Sequence, residues 1–508
     1  MSGKVTLVGA GPGAPDLITV RGERALREAD AVVYDALAAE SLLDLAPERA
    51  ARIDVGRRGH SEPARTQEEI SALLVKLARE GKRVVRLKGG DPYVFGRGGE
   101  EAAACRAAGV PFEVVPGITS AIGALSHAGI PVTDRRHSAS FAVVTGHKDP
   151  GAAREHVRFG ELARAVDTLV ILMAMKNLEA ILGEVLAGGR VPETPAACVM
   201  QGATGAQRSV VATLATLATR VREAGLAAPA AVVIGDVVRL APELAWFERL
   251  PLFGKRVLIT RQASQSGEWR RALEAAGAVP VLTPMIRTAP VRDDAALARV
   301  FGALGTYDWL VAASANALRE LGAAARERGA DLAKLRARVA CVGEASAASA
   351  REIGLTPLPA SGGDAERLLA WLRANHEWRG RRVLLPRAAL ASEALPAGLR
   401  AEGALVDELP LYRTEAAPFD RDALVARLAA RELDALAFAS PSAVRHFAAG
   451  VGADGVAAAR ASAIVAIGTI TADALRSAGF APNVVAETPS AAGLVSALEA
   501  HFTVEGSR

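Results

Sequence analysis

The chain has 508 residues, half of them apolar and 23% charged, with a formal net charge of +4. That length predicts three or four folding units, and the composition excludes large-scale disorder. The weak positive charge and the 4% aromatic content argue against a nucleic-acid partner.

No stretch reaches eighteen consecutive apolar residues, so no membrane span is expected. The first residues enter a strand-like segment without a signal-like apolar run, so secretion is not expected either. Cys105, Cys198 and Cys341 are scattered, with no CxxC, which argues against a disulfide framework and fits a reducing, cytoplasmic compartment. The histidines show no metal spacing and there is no HExxH, so no metal site is expected, and His147 is read as structural or substrate-side.

Strand-like apolar runs at 5–8, 31–34, 84–87, 141–145, 168–173 and 231–234 alternate with helical patterns such as 68–79 and 97–108. This alternation predicts an α/β fold with largely parallel sheets. Val8-Gly9-Ala10-Gly11-Pro12-Gly13 follows the first strand and imitates a dinucleotide loop, with Asp35 near the position of a ribose-binding acid. A dinucleotide helix must start inside its glycine loop, however. Here Pro12 removes one N–H, Pro15 restricts Ala14, and the helical pattern starts near Thr19. A nicotinamide dehydrogenase therefore stands only as a rival reading.

The second loop, Lys88-Gly89-Gly90-Asp91-Pro92, follows the strand at 84–87. Gly89 and Gly90 permit close backbone approach to a ligand, and Asp91 offers a hydrogen-bond acceptor. The third loop, Val115-Pro116-Gly117-Ile118-Thr119-Ser120, ends in two cap-like hydroxyls. Each is also compatible with an ordinary βα turn.

These loops, together with Ala31-Val32-Val33-Tyr34-Asp35 and Ala128-Gly129-Ile130-Pro131-Val132-Thr133, resemble uroporphyrinogen-III C-methyltransferase, of the tetrapyrrole methylase family. The resemblance runs from about residue 5 to 247. It implies two α/β domains with S-adenosylmethionine in the cleft between them and S-adenosylhomocysteine as product. Carried over by motif, Pro12, Gly89, Gly90, Asp91, Val94, Thr119, Ser120, Met173, Gly202 and Ala230 would line the cofactor site. Asp35 matches the family's proposed proton acceptor, against the alternative of a solvated turn carboxylate. The family's partner lysine is replaced here by Arg57. Arginine is a poor proton donor, so Arg57 is read as a charge that holds a substrate carboxylate or a developing anion. Arg135 and Arg136 are candidate partners for substrate carboxylates. A homodimer through this half is the family's usual state.

Pro251 and Gly254 mark a seam at 246–255, which divides the chain into 1–250 and 255–508. The second part carries an internal repeat. Gly254-Lys255-Arg256-Val257-Leu258-Ile259-Thr260-Arg261 recurs 126 positions later, ending at Arg387. Leu273-Glu274-Ala275-Ala276-Gly277 returns at Leu399, the strand ending in Ser314 returns ending in Ser440, and Cys341-Val342-Gly343 returns at Ala466. The period is too long for a solenoid and predicts two similar α/β units around a cleft. Hydroxyl residues at strand ends and helix starts suit anions, although each one alone also fits simple capping.

Residues 255–500 resemble uroporphyrinogen-III synthase, carried by Val257-Leu258-Ile259-Thr260-Arg261, Ala313-Ser314-Ala315-Asn316-Ala317, Leu411-Tyr412-Arg413-Thr414 and Ile467-Gly468-Thr469-Ile470-Thr471-Ala472. The family's crossover would place one lobe at about 255–288 plus 413–508 and the other at 289–412. Its reaction closes hydroxymethylbilane with inversion of the last ring and needs no cofactor. Tyr412 matches a tyrosine proposed to face the leaving hydroxyl, or is a buried crossover tyrosine. Ser314, Ser440 and Thr471 are candidate carboxylate binders, with Arg261 and Arg387 beside them. The whole implies a fused enzyme for small tetrapyrrole substrates on the sirohaem or cobalamin branch. The alternative is a methyltransferase carrying a non-catalytic tetrapyrrole-sensing module.

Overall fold

The computed structural model describes residues 3–35, 40–56, 65–147, 157–262, 265–358 and 365–505. Four five-stranded sheets carry the chain. The first contains β1 (Lys4–Gly9), β2 (Ala31–Tyr34), β3 (Ala51–Asp54), β4 (Arg83–Lys88) and β5 (Phe112–Val115), in the order β3-β2-β4-β1-β5. All its pairings are parallel. Side chains alternate between two buried faces, as a parallel sheet requires. Val5, Leu7, Val33 and Val84 meet the helices Gln67–Arg79 and Gly98–Ala107 on one face, while Val8, Val32, Val85 and Leu87 meet Leu26 and Leu42 on the other.

The second sheet contains β6 (Phe141–Thr145), β7 (Thr168–Leu172), β8 (Pro195–Met200), β9 (Arg208–Thr213) and β10 (Ala230–Ile234), in the order β6-β7-β10-β8-β9. Here the expectation of largely parallel pairing fails. Only β6–β7 is parallel, because β8 and β9 form a hairpin and β10 inserts antiparallel between β7 and β8. The helix Ser120–His127 packs Ala121, Ala124 and Leu125 onto Val170, Ala197 and Val233 of this sheet. It thereby joins the third loop of the first sheet to the second sheet.

The seam continues this packing. Trp246 donates from Nε1 to the Ser126 carbonyl at 3.2 Å, and Phe247 lies edge-on to both His127 and Phe253. Such aromatic pairs add about 0.5–1.5 kcal/mol beyond area burial.

The third sheet holds β11 (Arg256–Ile259), β12 (Val279–Leu282), β18 (Ala435–Phe438), β19 (Ala463–Ala466) and β20 (Val484–Val485), in the order β12-β11-β18-β19-β20. The fourth holds β13 (Ile286–Pro290), β14 (Trp309–Ala312), β15 (Arg338–Cys341), β16 (Arg382–Ala388) and β17 (Leu405–Ala416), in the order β13-β17-β16-β14-β15. The repeat explains the match between the two orders. The adjacent run β11-β18-β19 in one sheet corresponds to the adjacent run β16-β14-β15 in the other. Each repeat therefore begins in one sheet and finishes in the other.

Two compact units result. One comprises residues 1–283, 420–444 and 448–508; the other comprises 284–419 and 445–447. Among the described residues, no helix is long and apolar enough to cross a membrane, and no group of three metal-ligating side chains is placed to hold an ion.

Within the first unit, the helix Gly267–Ala275 lies against residues 15–17 and 40–45. Glu274 is caught in this junction with Oε2 buried and unpartnered among the described residues. Burial pushes its carboxyl up from 4.5 to about 7, aided by Asp44 and opposed by Ser41 and Arg270. A raised carboxyl favours the protonated folded form, so its stabilising state is lost as pH rises toward 7. The full penalty above that pH is at most about 3 kcal/mol. Glu274→Gln is expected to raise Tm at pH 8 and change it little at pH 5. Equal shifts at both pH values, measured by calorimetry, would contradict this.

Candidate active sites

The first site lies at the C-terminal ends of β1, β4 and β5. No α-helix starts in the loop after β1. A short turn at Pro15–Leu17 intervenes, and Thr19 caps the helix Val20–Arg27 by accepting from the Gly22 amide at 3.1 Å. The geometry of a dinucleotide loop is therefore missing.

Instead, three loops meet backbone to backbone. Gly11 and Gly90 exchange hydrogen bonds of 3.2 and 2.7 Å. A Cβ on Gly9 would sit 2.5 Å from Gly117 Cα and 2.6 Å from the Gly90 oxygen. Asp91 spends its carboxylate on the loops themselves, accepting from the Tyr93 amide at 2.8 Å and the Gly117 amide at 3.0 Å. Thr119 caps the helix Ser120–His127.

The remaining cofactor candidates gather around that helix. Pro12 packs against Gly123, and Gly202 against Ala124. Met173 follows β7, while Ala230 pairs with Met200 at the end of β8. Val94 donates its amide to the Asp91 carbonyl at 3.3 Å. Pro12, Gly89, Gly90, Asp91, Val94, Thr119, Ser120, Met173, Gly202 and Ala230 thus fall on loops, strand ends and one helix start of the first two sheets, with Pro12, Gly90 and Gly202 against the helix Ser120–His127 or its start.

Backbone strain points to the same place. Among the described residues, five of the six non-glycine positions with positive φ are Phe95, Arg97, Met173, Gln201 and Ala203, all on these loops. Such conformations cost about 1–3 kcal/mol each and concentrate where a ligand is held.

Asp35 follows β2 and is not a free turn carboxylate. Its Oδ1 receives Arg86 Nη2 at 2.5 Å, and Lys88 Nζ lies 3.9 Å from Oδ2. Glu101 bonds the same two cations, at 3.0 Å to Arg86 and 3.1 Å to Lys88. Sequence reasoning missed this cluster. The signal was present in β4, where Arg86 and Lys88 alternate onto one face of a central parallel strand that should be apolar. Two buried cations there demand buried anions.

Arg57 lies outside the described residues. Arg135 is exposed, and Arg136 is exposed while paired to Asp134 at 3.2 Å.

The synthase candidates collect at two sheet ends. In the third sheet, Arg261, Ser440 and Thr471 follow the neighbouring parallel strands β11, β18 and β19. Arg261 stacks 5.6 Å from the Trp269 ring centroid, Ser440 caps the helix Pro441–Ala459 and Thr471 is buried. In the fourth sheet, Ser314, Arg387 and Tyr412 lie at the ends or on the neighbouring strands β14, β16 and β17. Ser314 does not cap its helix; its Oγ lies 2.9 Å from the Tyr412 hydroxyl. Arg387 binds Glu408, Glu393 and the carbonyls of Ala391 and Ser392. Its guanidinium holds the turn after β16 in place.

The sequence model of the tetrapyrrole (corrin/porphyrin) methylases matches residues 4–218, and that of uroporphyrinogen-III synthase HemD matches residues 267–496. The two segments define a tetrapyrrole-biosynthesis enzyme in which a methylase precedes a synthase. The porphyrin biosynthesis protein HemD of Ruminiclostridium josui is 36% identical over 450 residues, 88% of each chain, and the present chain belongs to its family. The siroheme synthase of Stutzerimonas stutzeri is 49% identical over 253 residues, and the match spans 50% of this chain and 54% of that protein. The match thus covers about half the length of that siroheme synthase. Among solved structures, uroporphyrin-III C-methyltransferase from Thermus thermophilus aligns at 43% identity over 48% of this chain and 98% of its own, with a TM-score of 0.40. A mutant uroporphyrinogen III synthase from the same species aligns at 25% identity over 49% and 99%, with a TM-score of 0.37.

Proposed function

We propose that residues 255–508 close hydroxymethylbilane to uroporphyrinogen III, and that residues 1–250 methylate that product twice to precorrin-2. The observation that carries the methylase reading is the meeting of the three loops at Gly9, Gly90 and Gly117 beside Asp35. A Cβ placed on Gly90 would make ordinary contact with Thr119 Cα at 3.7 Å and Ser120 N at 3.8 Å, so the second and third loops lie against each other. This junction is where S-adenosylmethionine would be held. When bound there, the donor supplies an electrophilic methyl group.

The protein's own contribution is positional. The loops hold the donor, and the pyrrole carbon is set in line with it. Asp35 accepts the proton released by the methylated macrocycle. Arg57, Arg135 and Arg136 carry permanent positive charges suited to a carboxylate-rich substrate.

In the synthase half, the Tyr412 hydroxyl faces the departing hydroxyl, and Ser314 orients it through their 2.9 Å hydrogen bond. Ser440, Thr471 and Arg261, at one end of the third sheet, are the partners offered to substrate carboxylates, whereas Arg387 is committed to Glu393 and Glu408. Tyr412→Phe removes one hydroxyl from a nearly buried ring and is expected to slow ring closure about tenfold while leaving methylation of supplied uroporphyrinogen III unchanged. An unchanged ring-closure rate would assign Tyr412 to the core alone. A cytoplasmic homodimer joined through the methylase half is part of the same reading.

The test incubates full-length protein with hydroxymethylbilane, with and without S-adenosylmethionine, and follows product mass. Uroporphyrinogen III alone, then a dimethylated product on adding the donor, supports both activities. Methylation of supplied uroporphyrinogen III without ring closure assigns the second half to a tetrapyrrole-sensing module. Binding of a nicotinamide cofactor instead of S-adenosylhomocysteine overturns the methylase reading.

A further inference from the structure

The cluster behind Asp35 has an arrangement that packing alone does not require. Arg86, Lys88 and Glu101 are nearly inaccessible, at 2%, 3% and 0% side-chain exposure, whereas Asp35 keeps 29%. Two cations and two carboxylates balance in charge, and only one of the four reaches the surface.

Arg86 is anchored beyond its acids. Its Nη1 also donates to the carbonyls of Val33 and Leu87 at 3.4 and 3.3 Å. Glu101 Oε1 collects Arg86, Lys88 and Gln67 Nε2, the last at 3.2 Å, while Oε2 has no partner among the described residues. Lys88 has one near anion, Glu101, and a second, Asp35, beyond hydrogen-bond length. Its ammonium therefore lies between the two carboxylates, nearer to Glu101. Gly96 of the following loop lies over its stem, where a Cβ would come within 3.3 Å of Cε.

Resting on the reading of Asp35 as proton acceptor, we propose that Lys88 is a positioning residue for methylation, shared between Glu101 and Asp35 so that its ammonium follows the charge on Asp35. When Asp35 is anionic, the ammonium faces it. When Asp35 takes up the substrate's proton, Glu101 holds both the ammonium and the Arg86 guanidinium, and the cluster carries one net positive charge. No bond is made or broken at Lys88.

The groups facing Lys88 are Asp35 after β2, Arg86 on β4, and Glu100 and Glu101 on the helix Gly98–Ala107. Burial and the Arg86 guanidinium push its ammonium below the ordinary lysine value, and Glu101 and Asp35 pull it back up. Its proton is therefore lost at lower pH than that of a solvated lysine.

The experiment measures methylation kcat against pH, with uroporphyrinogen III and S-adenosylmethionine, for the full-length protein and its Lys88→Met, Lys88→Arg, Glu101→Gln and Asp35→Asn variants. The wild type should lose kcat on the alkaline side as the ammonium deprotonates. Lys88→Met should lower kcat about twentyfold at neutral pH without an alkaline limb, at an unchanged KM. Lys88→Arg keeps the charge, so it should recover most of kcat and also lack the limb. Glu101→Gln, which preserves volume, should move the limb to lower pH, and it decides the matter if Lys88→Met does not fold.

An unmoved limb in Glu101→Gln, or equal losses in Lys88→Met and Lys88→Arg with a wild-type limb, overturns the role of Lys88. Asp35→Asn separates the two readings. Full activity in that variant removes Asp35 as acceptor. Lost activity there, with wild-type profiles for the Lys88 variants, removes the role of Lys88 alone.

Discussion

Asp35→Asn is expected to lower methylation kcat about 10²- to 10³-fold, within the usual contribution of a positioned acid or base. The substitution keeps the shape of the side chain. Its amide oxygen still accepts from Arg86, so the 2.5 Å contact survives in weakened form. What disappears is the ability to take a proton. The affinity for S-adenosylhomocysteine should stay within about twofold, because Asp35 belongs to the β2 end and the glycine loops belong to β1, β4 and β5. Ring closure of hydroxymethylbilane should not change. A variant that methylates at the wild-type rate would return Asp35 to a purely structural pairing with Arg86. Weakened donor binding with kcat intact would place the residue at the donor instead of the macrocycle.

The same neighbourhood shows what a sequence yields and what it withholds. The strands at 31–34 and 141–145 coincide with β2 and β6, and the helical pattern at 68–79 with Gln67–Arg79. Period and turn residues are local, so they are legible. The internal repeat was equally legible, since hydrophobic runs at constant offset survive divergence. The repeat predicted two similar α/β units, while the sharing of each repeat between two lobes came from the family's crossover; the strand orders show each repeat divided between two sheets. Pairing direction in the second sheet was not legible. The run at 231–234 reads as a buried strand in either direction, and only tertiary packing inserts β10 between β7 and β8.

The candidate site divides in the same way. Gly90 and Thr119 were singled out from loop chemistry, and the fold sets their loops side by side. Ser440 turned out to cap its helix, while Ser314, its counterpart in the repeat, bonds Tyr412 instead. No pattern in either segment separates those two fates, because the tyrosine lies 98 positions from its serine. Glu101 is one of two acids in the first turn of its helix. Its cationic partners are on β4, and only the fold brings them within 3.1 Å.

Gly9→Ala is expected to raise the Kd for S-adenosylhomocysteine about 10²-fold, equivalent to about 2.7 kcal/mol. The added methyl would lie 2.5 Å from Gly117 Cα, 2.6 Å from Gly117 N and 2.6 Å from the Gly90 oxygen. All three are backbone atoms, so no side chain can swing aside. The loops must separate, and the Gly11–Gly90 hydrogen bonds and the Gly117–Asp91 bond are strained together. Overpacking of this kind costs about 1–3 kcal/mol, drawn from the geometry that holds the donor. Gly90→Ala makes a useful contrast. Its Cβ would meet nothing nearer than 3.7 Å, but its φ of +66° is unfavourable to alanine, so a smaller loss of roughly 1–2 kcal/mol is expected. Gly183→Ala serves as the control, being helical and uncrowded, and should stabilise by about 0.5–1 kcal/mol. Equal donor affinities for Gly9→Ala and wild type, measured by titration calorimetry, would mean that the three-loop junction is not the donor site. A loss in Gly9→Ala accompanied by lost ring closure would instead mean that the chain had misfolded as a whole, and the contrast with Gly90→Ala separates that outcome from a local defect.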